Sequence, residues 1–589
     1  MKLSAIAVDY DGTIAVDGAM DPSVREAIGA ARQQGIAVIL ATGRRVSDLS
    51  RVAGDLACFD VVVAENGAVL HFPASGRHVT IGKPPARVFL DELGRRGVDF
   101  AAGEVVVETD AGSAVAVLEA VRDLQQPLIL AFNRGRLMIL PQGVAKSTGL
   151  RQALLAFRLS IHNTVGIGDA ENDHDLLDAC EVGVAVAWGS EALRAVADEV
   201  VEGSGPQAVA KYIRRILGQP RLSAAQMGRR RLLLGRQHDG EPVSLAVRGR
   251  TVLIAGEPGT GKSWLAGLLC EQLILQGYGM CIIDPEGDYR SLEALPGVIT
   301  LGGEDPPPSG RDLVRALRHP DVSVIVDLSR MPHHLRNEYL QTLLPVLKTL
   351  RRTTGFPHQI LLDEAHYCLG TDTAELIDPE LAGYIFVTYR ISVVDASIRE
   401  ASDSVVIVTR ETDPYEVEAL MHMCRPHPCP AVGPDAFRDL GLNEAALLPG
   451  SEESHGQVRR FQMAPRLTSH VRHRTKYLDM PVLESQAFVF TDHGESGSRA
   501  HTLKEFTALL ATVPARQIQS HLVRHDFSRW LQDVFRDPGM GAVVHALEAR
   551  VDSEAARDVA ADIAQAIRAR YDTAPLSTLA ASAPTSLRG

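Results

Sequence analysis

The stretch that most constrains the fold lies near the middle of the 589-residue chain. An apolar run at residues 251–255 is followed by the sequence Gly-Glu-Pro-Gly-Thr-Gly-Lys-Ser and then by a helix-like run at 264–277. A buried strand, a glycine-rich loop and a helix in this order are the context of a phosphate-binding loop. In such a loop Lys262 reaches the β- and γ-phosphates and the Ser263 hydroxyl binds Mg²⁺. The sequence therefore predicts a nucleotide site with the following residues: Gly256, Gly259, Thr260, Gly261, Lys262 and Ser263.

The composition limits the class of protein. Apolar residues make up 45% of the chain and charged residues 23%, as in globular proteins, and the length predicts several domains. The net charge of −13 argues against a uniformly basic nucleic-acid coat but leaves room for local basic patches. No apolar run reaches the roughly 18–20 residues of a membrane span, and the seven cysteines are scattered. We therefore expect a cytoplasmic protein without a membrane partner.

The N-terminal part alternates strands and helices, with acidic or polar residues where the strands end. A buried strand at 3–8 precedes Asp9 and Asp11, and the motifs at 41–44 and 65–67 follow the next two strands. Such a pattern predicts a parallel α/β sheet whose reactive groups gather at the carboxyl ends of the strands. One carboxylate there can attack phosphorus while a second protonates the leaving oxygen and later deprotonates water. We assign these roles to Asp9 and Asp11.

Two carboxylates that face a phosphate dianion need compensating positive charge, which the chain supplies further on. Thr42 can donate to the phosphoryl oxygens, Lys146 supplies positive charge, and Asp169 and Asp173 offer oxygen ligands for Mg²⁺. Asn172 is a polar contact beside them. One such acidic loop could be a solvated turn, but several motifs in a fixed order favour a site.

The motifs DYDGTI, ATGR, AENGA, Lys146 and GDAEND follow one another as in the haloacid dehalogenase superfamily. Residues 1–218 resemble the Cof-type or sugar-phosphatase-like branch of that superfamily. The resemblance implies a Rossmann-like core in which Asp9 forms an aspartyl-phosphate and Asp11 is the general acid/base. It implies Mg²⁺ held by Asp9, the Asp11 backbone carbonyl, Asp169 and Asp173. It implies these phosphate or substrate contacts: Thr42, Gly43, Lys146 and Asn172.

Residues 84–140 predict a small α/β insert within this part. In the branch that the chain resembles, such an insert is the cap that closes over the leaving group and selects the substrate. Asn133, Arg134 and Arg136 either face the site or form a polar hairpin turn, and the turn is the commoner arrangement. The resemblance implies a small phosphorylated substrate, such as a sugar phosphate or phosphoglycolate.

Two further strand ends complete the predicted nucleotide site. An apolar strand ends in Asp363 and Glu364, where the first can hold the Mg²⁺ shell and the second can polarise the attacking water. Another strand ends in Thr388, and Arg390 follows at the position of a γ-phosphate sensor.

With DPEGDY, VDLS and LLDEAH, residues 219–470 resemble the HerA/FtsK-type P-loop ATPases of the RecA-like class. The resemblance implies bound ATP and Mg²⁺, ATP hydrolysis and a homo-oligomer, commonly a hexameric ring that moves DNA. Two departures argue against transferring DNA movement. Tyr389 stands where the family often has Gln, and only the 230–248 hairpin remains where many members carry a β-barrel.

The remaining segments predict less chemistry. Residues 471–572 predict a mostly helical module with Phe527 and Trp530 in its core, and residues 573–589 predict a disordered tail. Structural roles are favoured over sites for two groups: His521, His525 and Asp526, and the pair Cys424 and Cys429 with His422 and His427. Solvated faces are favoured over phosphate contacts or trans-acting fingers for three basic clusters: Arg229–Arg231, Arg351–Arg352 and Arg472–Lys476.

The sequence thus predicts an α/β multidomain enzyme, a Mg²⁺-dependent phosphatase fused to an ATPase. The rival interpretation is a DNA translocase whose phosphatase domain processes nucleic-acid ends or nucleotides. A third is an ATP-gated scaffold that recruits a partner. DNA-stimulated ATP hydrolysis separates these interpretations.

Overall fold

The computed structural model divides the chain into two compact units, residues 1–468 and 469–589. The described residues are 2–133, 135–219, 229–370, 374–378, 381–399, 404–424, 433–441, 443–449, 454–469, 478, 482, 486–491, 497–535, 538–552 and 555–571. The predicted tail at 573–589, Arg134, and the cluster Arg472–Lys476 lie outside them.

The N-terminal part of the first unit alternates strands and helices as the sequence predicts. Its strands are β1 (Ala5–Asp9), β2 (Ala15–Val16), β3 (Ala19–Met20), β4 (Ala37–Ala41), β5 (Val61–Ala64), β6 (Val69–Phe72), β7 (Arg77–Thr80), β8 (Phe100–Ala102), β9 (Val107–Asp110), β10 (Leu128–Asn133), β11 (Arg136–Pro141), β12 (Thr164–Gly168), β13 (Val182–Val186) and β14 (Glu199–Val201). Its α-helices are α1 (Pro22–Gln33), α2 (Val46–Ala53), α3 (Arg87–Arg95), α4 (Ala114–Asp123), α5 (Lys146–Ala156), α6 (His174–Ala179), α7 (Glu191–Val196) and α8 (Pro206–Leu217).

The larger sheet of this part has the strand order β14-β13-β12-β1-β4-β5-β6-β7. The first six strands of this order pair in parallel, and β6 and β7 continue antiparallel. The strands β1 and β12 are fully buried, as expected for a parallel sheet covered on both faces. Since β1 lies between β4 and β12, the residues that follow these strands meet at one edge of the sheet.

The insert is a smaller antiparallel sheet of order β10-β11-β9-β8 with two helices, α3 and α4. Phe89 and Leu93 of α3 and Val117 and Ala120 of α4 share its apolar core. This arrangement confirms the predicted small α/β cap.

The central part of the chain forms a second large sheet. Its strands are β15 (Arg231–Arg236), β16 (Pro242–Ala246), β17 (Thr251–Ala255), β18 (Met280–Asp284), β19 (Val298–Gly302), β20 (Ser323–Asp327), β21 (Gln359–Leu362), β22 (Tyr384–Thr388), β23 (Ser404–Val408), β24 (Glu444–Leu447) and β25 (Arg459–Met463). Its α-helices are α9 (Lys262–Leu275), α10 (Gly310–Leu317), α11 (His333–Thr354), α12 (Ala396–Arg399), α13 (Pro414–Cys424) and α14 (Asp435–Arg438).

This sheet has the order β16-β15-β25-β24-β23-β17-β22-β21-β18-β20-β19. The run from β23 to β19 is parallel, and the remaining strands extend it antiparallel. The glycine-rich loop leaves β17, and β22 separates β17 from β21. Strand spacing therefore places the ends of β17 and β21 about 10 Å apart. This topology confirms the predicted α/β P-loop core.

A buried carboxylate joins the two large sheets of the first unit. Glu181, in the turn after α6, accepts a hydrogen bond from the Tyr278 hydroxyl at 2.8 Å and pairs with Arg248 at 2.5 Å. His162 Nδ1 lies 2.8 Å from the same carboxylate, and its ring stacks on Tyr278. Burial by itself would raise the pKa of Glu181, but Arg248, His162 and Arg230 hold it well below its usual value. The charged Glu181 carboxylate of the N-terminal part is therefore bound by Tyr278 and Arg248 of the central part.

The second unit is mostly helical, as predicted. It contains β26 (Phe488–Val489), β27 (Arg499–Ala500), α15 (Leu503–Thr512), α16 (Ala515–Val523), α17 (Asp526–Asp533), α18 (Pro538–Glu548) and α19 (Ala556–Tyr571). Phe527 and Trp530 lie in its apolar core, where the sequence places them. Across both units, none of the helices in the described ranges has the length and apolarity that crossing a membrane requires.

Candidate functional site

Four predicted side chains meet at the carboxyl edge of the N-terminal sheet. Asp9 is the last residue of β1, Asp169 follows β12, Asp173 precedes α6, and Lys146 begins α5. Carboxylate oxygens of the three aspartates lie within 4.8 Å of one another. The Lys146 ammonium donates to Asp9 Oδ1 at 2.6 Å and to Asp173 Oδ1 at 2.7 Å.

The electrostatics of this cluster follow from its burial. Lys146 is 0% exposed and Asp9 is 5% exposed. Burial and the negative charge of Asp173 raise the pKa of Asp9 well above its usual value, against the opposing effect of Lys146. Burial lowers the pKa of Lys146, but Asp173 and Asp9 outweigh it and the net pKa is raised. Three carboxylates around one ammonium are a donor set suited to a hard divalent cation such as Mg²⁺.

Asp11 lies outside this carboxylate cluster and pairs with Arg44, which the sequence analysis does not identify as a site residue. Arg44 Nε donates to Asp11 Oδ2 at 2.6 Å and Arg44 Nη2 donates to Asp11 Oδ1 at 2.7 Å. A bidentate contact of this kind fixes the orientation of a carboxylate. Thr42, the predicted phosphate contact, is buried, and its hydroxyl accepts a hydrogen bond from the Arg44 backbone N–H at 3.2 Å. Gly43 lies between them and is partly buried.

Glycines allow the lysine-bearing helix to approach the sheet. Gly67 has φ of 102°, and a Cβ there would lie 1.9 Å from the carbonyl oxygen of Ala145. A side chain at this position would displace the start of α5 and with it Lys146. Gly168 has a similar role, because a Cβ there would lie 2.6 Å from the Asp173 side chain.

Glu65 connects the core to the cap and was not predicted. It has φ of 50°, and its buried carboxylate accepts the backbone N–H groups of Glu104, Val105 and Val106 at 2.8–2.9 Å. It therefore anchors the loop between β8 and β9. A glutamate beside Asn66 and Gly67 in a strand-end turn is a weak sequence signal, because its partners lie about forty residues away and are backbone groups.

Two further predicted polar residues, Asn172 of the core and Arg136 of the cap, lie in different surroundings. Asn172 Nδ2 lies 3.5 Å from Asn66 Oδ1 at the edge of the site. Arg136 pairs with Glu108 at 2.7 Å on the exposed side of the cap sheet, and its register partner is Asn133 at the β10–β11 turn. Arg136 thus belongs to the polar hairpin, the commoner of the two predicted arrangements.

The glycine-rich loop of the central sheet has the geometry that its sequence requires. Gly256, Gly259 and Gly261 have φ of 142°, 80° and 107°, which favours glycine. Lys262, at the start of α9, turns its ammonium back over the loop and donates to the Glu257 carbonyl at 3.0 Å. Ser263 is the next residue of the helix. In a phosphate-binding loop the lysine at this position reaches a bound phosphate.

A second layer of contacts, absent from the sequence analysis, holds this loop. Thr260 Oγ1 lies 2.6 Å from Thr409 Oγ1. The Glu257 carboxylate accepts from Arg410 at 2.5 Å and from the Thr412 hydroxyl at 2.7 Å. These partners follow β23, which is adjacent to β17, so the loop is supported by the neighbouring strand end.

The predicted water-activating and sensor residues lie together at the next two strand ends. Asp363 Oδ2 accepts the Tyr289 hydroxyl at 3.2 Å, and Glu364 follows in the left-handed conformation with φ of 50°. His366, which was not predicted, lies 3.2 Å from the Thr388 hydroxyl and 3.6 Å from the Glu364 carboxylate.

The segment that follows Thr388 completes this group. The Tyr389 ring packs against His366 with centroids 4.4 Å apart, and the Arg390 guanidinium lies 5.4 Å from the Tyr389 ring centroid. Where the family often has Gln, this chain therefore has Tyr389, whose ring packs against His366.

The basic clusters are structural where the structure describes them. Arg229 and Arg230 donate to the Cys180 carbonyl beside Glu181, and thus support the contact between the two sheets. Arg351 is buried and donates to the Ala382 carbonyl at 2.7 Å, while Arg352 pairs with Asp378. The solvated face expected for this cluster is therefore wrong for Arg351, because its guanidinium is buried against backbone carbonyls.

The remaining histidine groups contact carboxylates of the second unit. His521 lies 2.8 Å from Asp526. His525 and His545 lie near the buried Glu548, but this carboxylate also accepts the N–H groups that begin α17. Cys424 is buried at the end of α13, and the neighbouring Cys429 and His427 lie outside the described residues.

Comparisons with known proteins identify relatives of both the N-terminal and the central part of the chain. Residues 6–81 and 95–213 match the haloacid dehalogenase-like hydrolase model, and residues 234–354 match the model of the central domain of helicase HerA. A phosphoglycolate phosphatase of Methanothermobacter thermautotrophicus is 29% identical over 225 residues, which are 37% of this chain and 100% of that protein. One from Archaeoglobus fulgidus is 30% identical over 222 residues, 36% of this chain and 96% of that protein.

A solved haloalkanoate-superfamily phosphatase from Bacteroides thetaiotaomicron is similar with a TM-score of 0.32 and 21% identity. The similarity covers 36% of this chain and 95% of that one. The two family models confirm the resemblances predicted from the motifs for both parts of the first unit.

Proposed function

We propose that this chain, which belongs to the haloacid dehalogenase-like hydrolases, removes phosphate from a small phosphorylated metabolite and separately hydrolyses ATP. Its N-terminal part is a phosphoric monoester hydrolase and its central part is a P-loop ATPase domain. The observation that carries the first activity is the buried cluster of Asp9, Lys146 and Asp173 at hydrogen-bond distance. A carboxylate nucleophile held by an ammonium and further carboxylates suits phosphoryl transfer.

The residues of the cluster divide the proposed reaction between them. Asp9 attacks phosphorus and becomes an aspartyl-phosphate, while Asp11, oriented by Arg44, protonates the leaving oxygen and then deprotonates the water that hydrolyses this intermediate. Thr42 and Lys146 stabilise the charge on the phosphoryl oxygens. Bound to Asp9, Asp169 and Asp173, Mg²⁺ would supply the positive charge that draws the phosphate dianion to these carboxylates.

Phosphoglycolate and sugar phosphates are the substrates that we propose to test first. The similarity to archaeal phosphoglycolate phosphatases supports the former. The small cap, anchored by Glu65, supports a modest phosphoester. A panel of phosphoesters with Mg²⁺, read by phosphate release, tests the activity. Failure of all of them, including p-nitrophenyl phosphate, would count against a phosphatase.

For the central part we propose that Lys262 and Ser263 bind ATP and Mg²⁺, with Asp363 in the metal shell and Glu364 polarising water. The lysine position and the supported loop favour this assignment. Asp9→Asn should lower phosphatase turnover by about 10³ or more and leave ATP hydrolysis intact. Lys262→Ala should do the reverse. Loss of both activities in either folded variant would contradict two independent sites.

The rival proposal, DNA movement, rests on the match to the HerA central domain. It requires ATP hydrolysis that DNA stimulates and that salt suppresses steeply. ATP turnover with and without single- and double-stranded DNA, at two salt concentrations, decides between them. Self-association into a ring, also implied by the resemblance, is tested by sedimentation with and without ATP.

A further inference from the structure

Two histidines and a glutamate converge on the surface of the second unit, outside both sites described above. His525 directly precedes α17, whereas His545 and Glu548 lie three residues apart in the last turn of α18. One nitrogen of each imidazole and one oxygen of the carboxylate lie within 4.8 Å of one another. His525 Nδ1 is 3.2 Å from Glu548 Oε2, and His545 Nδ1 is 3.9 Å from the same oxygen. Two segments of the chain thus bring together three side chains of the types that ligate metals.

The Glu548 carboxylate does not need the histidines for its own hydrogen bonds. It is fully buried, and its Oε1 accepts the backbone N–H groups of Phe527 and Ser528 at 3.0 and 3.1 Å. Its Oε2 accepts the Ser528 hydroxyl at 2.5 Å. These hydrogen bonds satisfy a buried carboxylate and fix its orientation, as surrounding hydrogen bonds do for carboxylates that bind metals. Oε2 is also the oxygen that both imidazoles approach.

The two imidazoles form the open side of this cluster. The side chains of His525 and His545 are 38% and 59% exposed, and their ring centroids lie 4.4 Å apart. The 3.9 Å between His545 and Glu548 is too long for a hydrogen bond. Ligand atoms that surround a tetrahedral ion at about 2.0–2.1 Å are about 3.3 Å from one another. The observed separations are close to this value, and a small rotation of the exposed His545 ring would bring its nitrogen to the same distance.

We propose that His525, His545 and Glu548 bind a divalent transition-metal ion of the Zn²⁺ type, with solvent completing the coordination. Two imidazole nitrogens and one carboxylate oxygen are a donor set that Zn²⁺ accepts, whereas Mg²⁺ and Ca²⁺ prefer oxygen ligands. Because the ligands come from the turn before α17 and from the end of α18, the bound ion cross-links these two helices. The ion therefore stabilises the second unit and takes no part in the two reactions proposed for the first.

Titration of the full-length protein with Zn²⁺ against a chromophoric chelator, in millimolar Mg²⁺, tests this proposal. Other zinc-binding groups of the chain contribute equally to the parent and to the variants. His525→Ala/His545→Ala should bind one equivalent of Zn²⁺ fewer per chain than the parent. His545→Ala alone should weaken the site about tenfold or more. The matched control His238→Ala/His319→Ala, which removes two exposed imidazoles elsewhere, should bind as much Zn²⁺ as the parent.

X-ray absorption at the zinc edge of the parent with one bound equivalent separates this site from the cysteines. The ion should have only nitrogen and oxygen neighbours, at about 2.0–2.2 Å. Sulfur neighbours at about 2.3 Å would assign the ion to cysteines such as Cys424 and overturn the proposal. Equal Zn²⁺ binding by the parent and the double histidine variant, or displacement of the ion by millimolar Mg²⁺, would overturn it as well. Circular dichroism and thermal unfolding of the metal-free proteins establish that the variants are folded.

Discussion

Replacing the buried Glu181 by glutamine should destabilise the first unit far more than an exposed substitution of the same kind. Glu181 is 3% exposed and Arg248 is 8% exposed. The variant leaves the Arg248 guanidinium buried without its anionic partner at 2.5 Å. Breaking a buried ion pair in this way costs about 3–5 kcal/mol, which is a large share of the 5–15 kcal/mol that stabilises a typical domain.

Urea unfolding at pH 7, followed by tyrosine and tryptophan fluorescence and by far-ultraviolet circular dichroism, measures this cost. The exposed pair of Glu26 and Arg214 supplies the control, and Glu26→Gln should change the free energy of unfolding by less than about 1 kcal/mol. A Glu181→Gln variant that also stays within about 1 kcal/mol of the parent, at an unchanged denaturant slope, would refute the reasoning. Arg248→Met combined with Glu181→Gln should recover part of the loss, because neither charge is then left buried.

The pH dependence of the same variant provides a second check. The pKa of Glu181 is held below its unfolded value of 4.5. Its contribution to stability is therefore complete above about pH 4.5 and declines as the pH falls toward the lowered pKa. The difference between parent and Glu181→Gln should stay constant from pH 5.5 to 8 and shrink in more acidic solution. A difference that vanishes between pH 6 and 8 would assign the effect to another group.

Three further substitutions test the phosphatase site. Lys146→Met should reduce phosphate release by about 10² or more, because the ammonium that faces the phosphoryl oxygens is lost. Steady-state kinetics with saturating Mg²⁺ measure this effect. Unchanged turnover would contradict the role assigned to Lys146. Gly67→Ala should lower the melting temperature strongly, since its Cβ would clash with the backbone at the start of α5, whereas Gly97→Ala, with φ of 69° and open space around it, should have a milder effect in the same thermal scan. Glu65→Gln should raise KM more than it lowers kcat, because it loosens the cap without touching the reacting atoms, and a selective loss of kcat would argue against this role.

The sequence predicts those parts of the molecule that depend on local order. Asp9, Asp169 and Asp173 each lie beside the end of a buried strand, so the rule that parallel strands gather their carboxyl ends is enough to place them together. Lys262 and Ser263 are fixed by the glycine pattern between a strand and a helix. In both cases the predicted functional residues lie within a few positions of a strand or helix that the sequence pattern identifies.

The contacts that the sequence does not reveal join residues that are far apart in the chain. The residues that make these contacts belong to no distinctive motif. Arg44 reaches Asp11 across 33 residues, and Glu65 reaches backbone groups of the cap. Thr409 supports a loop that lies 149 residues earlier in the chain. Each depends on which strands become neighbours. Apolar periodicity identifies a strand but carries no information about its position in the sheet.

The position of Glu181 is one example of a feature that depends on which elements become neighbours in the fold. Asp173 lies at the start of α6 and Glu181 follows the end of that helix, while Lys262 begins α9 and Tyr278 follows its end. The two helices therefore point their C-terminal ends toward the buried contact, and the ends that carry the predicted site residues point away from it. At 1.5 Å per residue, α9 alone separates the contact from the phosphate-binding loop by about 21 Å. Glu181 therefore lies far from the phosphate-binding loop, and we infer that its buried charge holds the N-terminal and central parts together. Glu181→Gln protein that remains folded should accordingly retain both turnover rates, even though its stability falls.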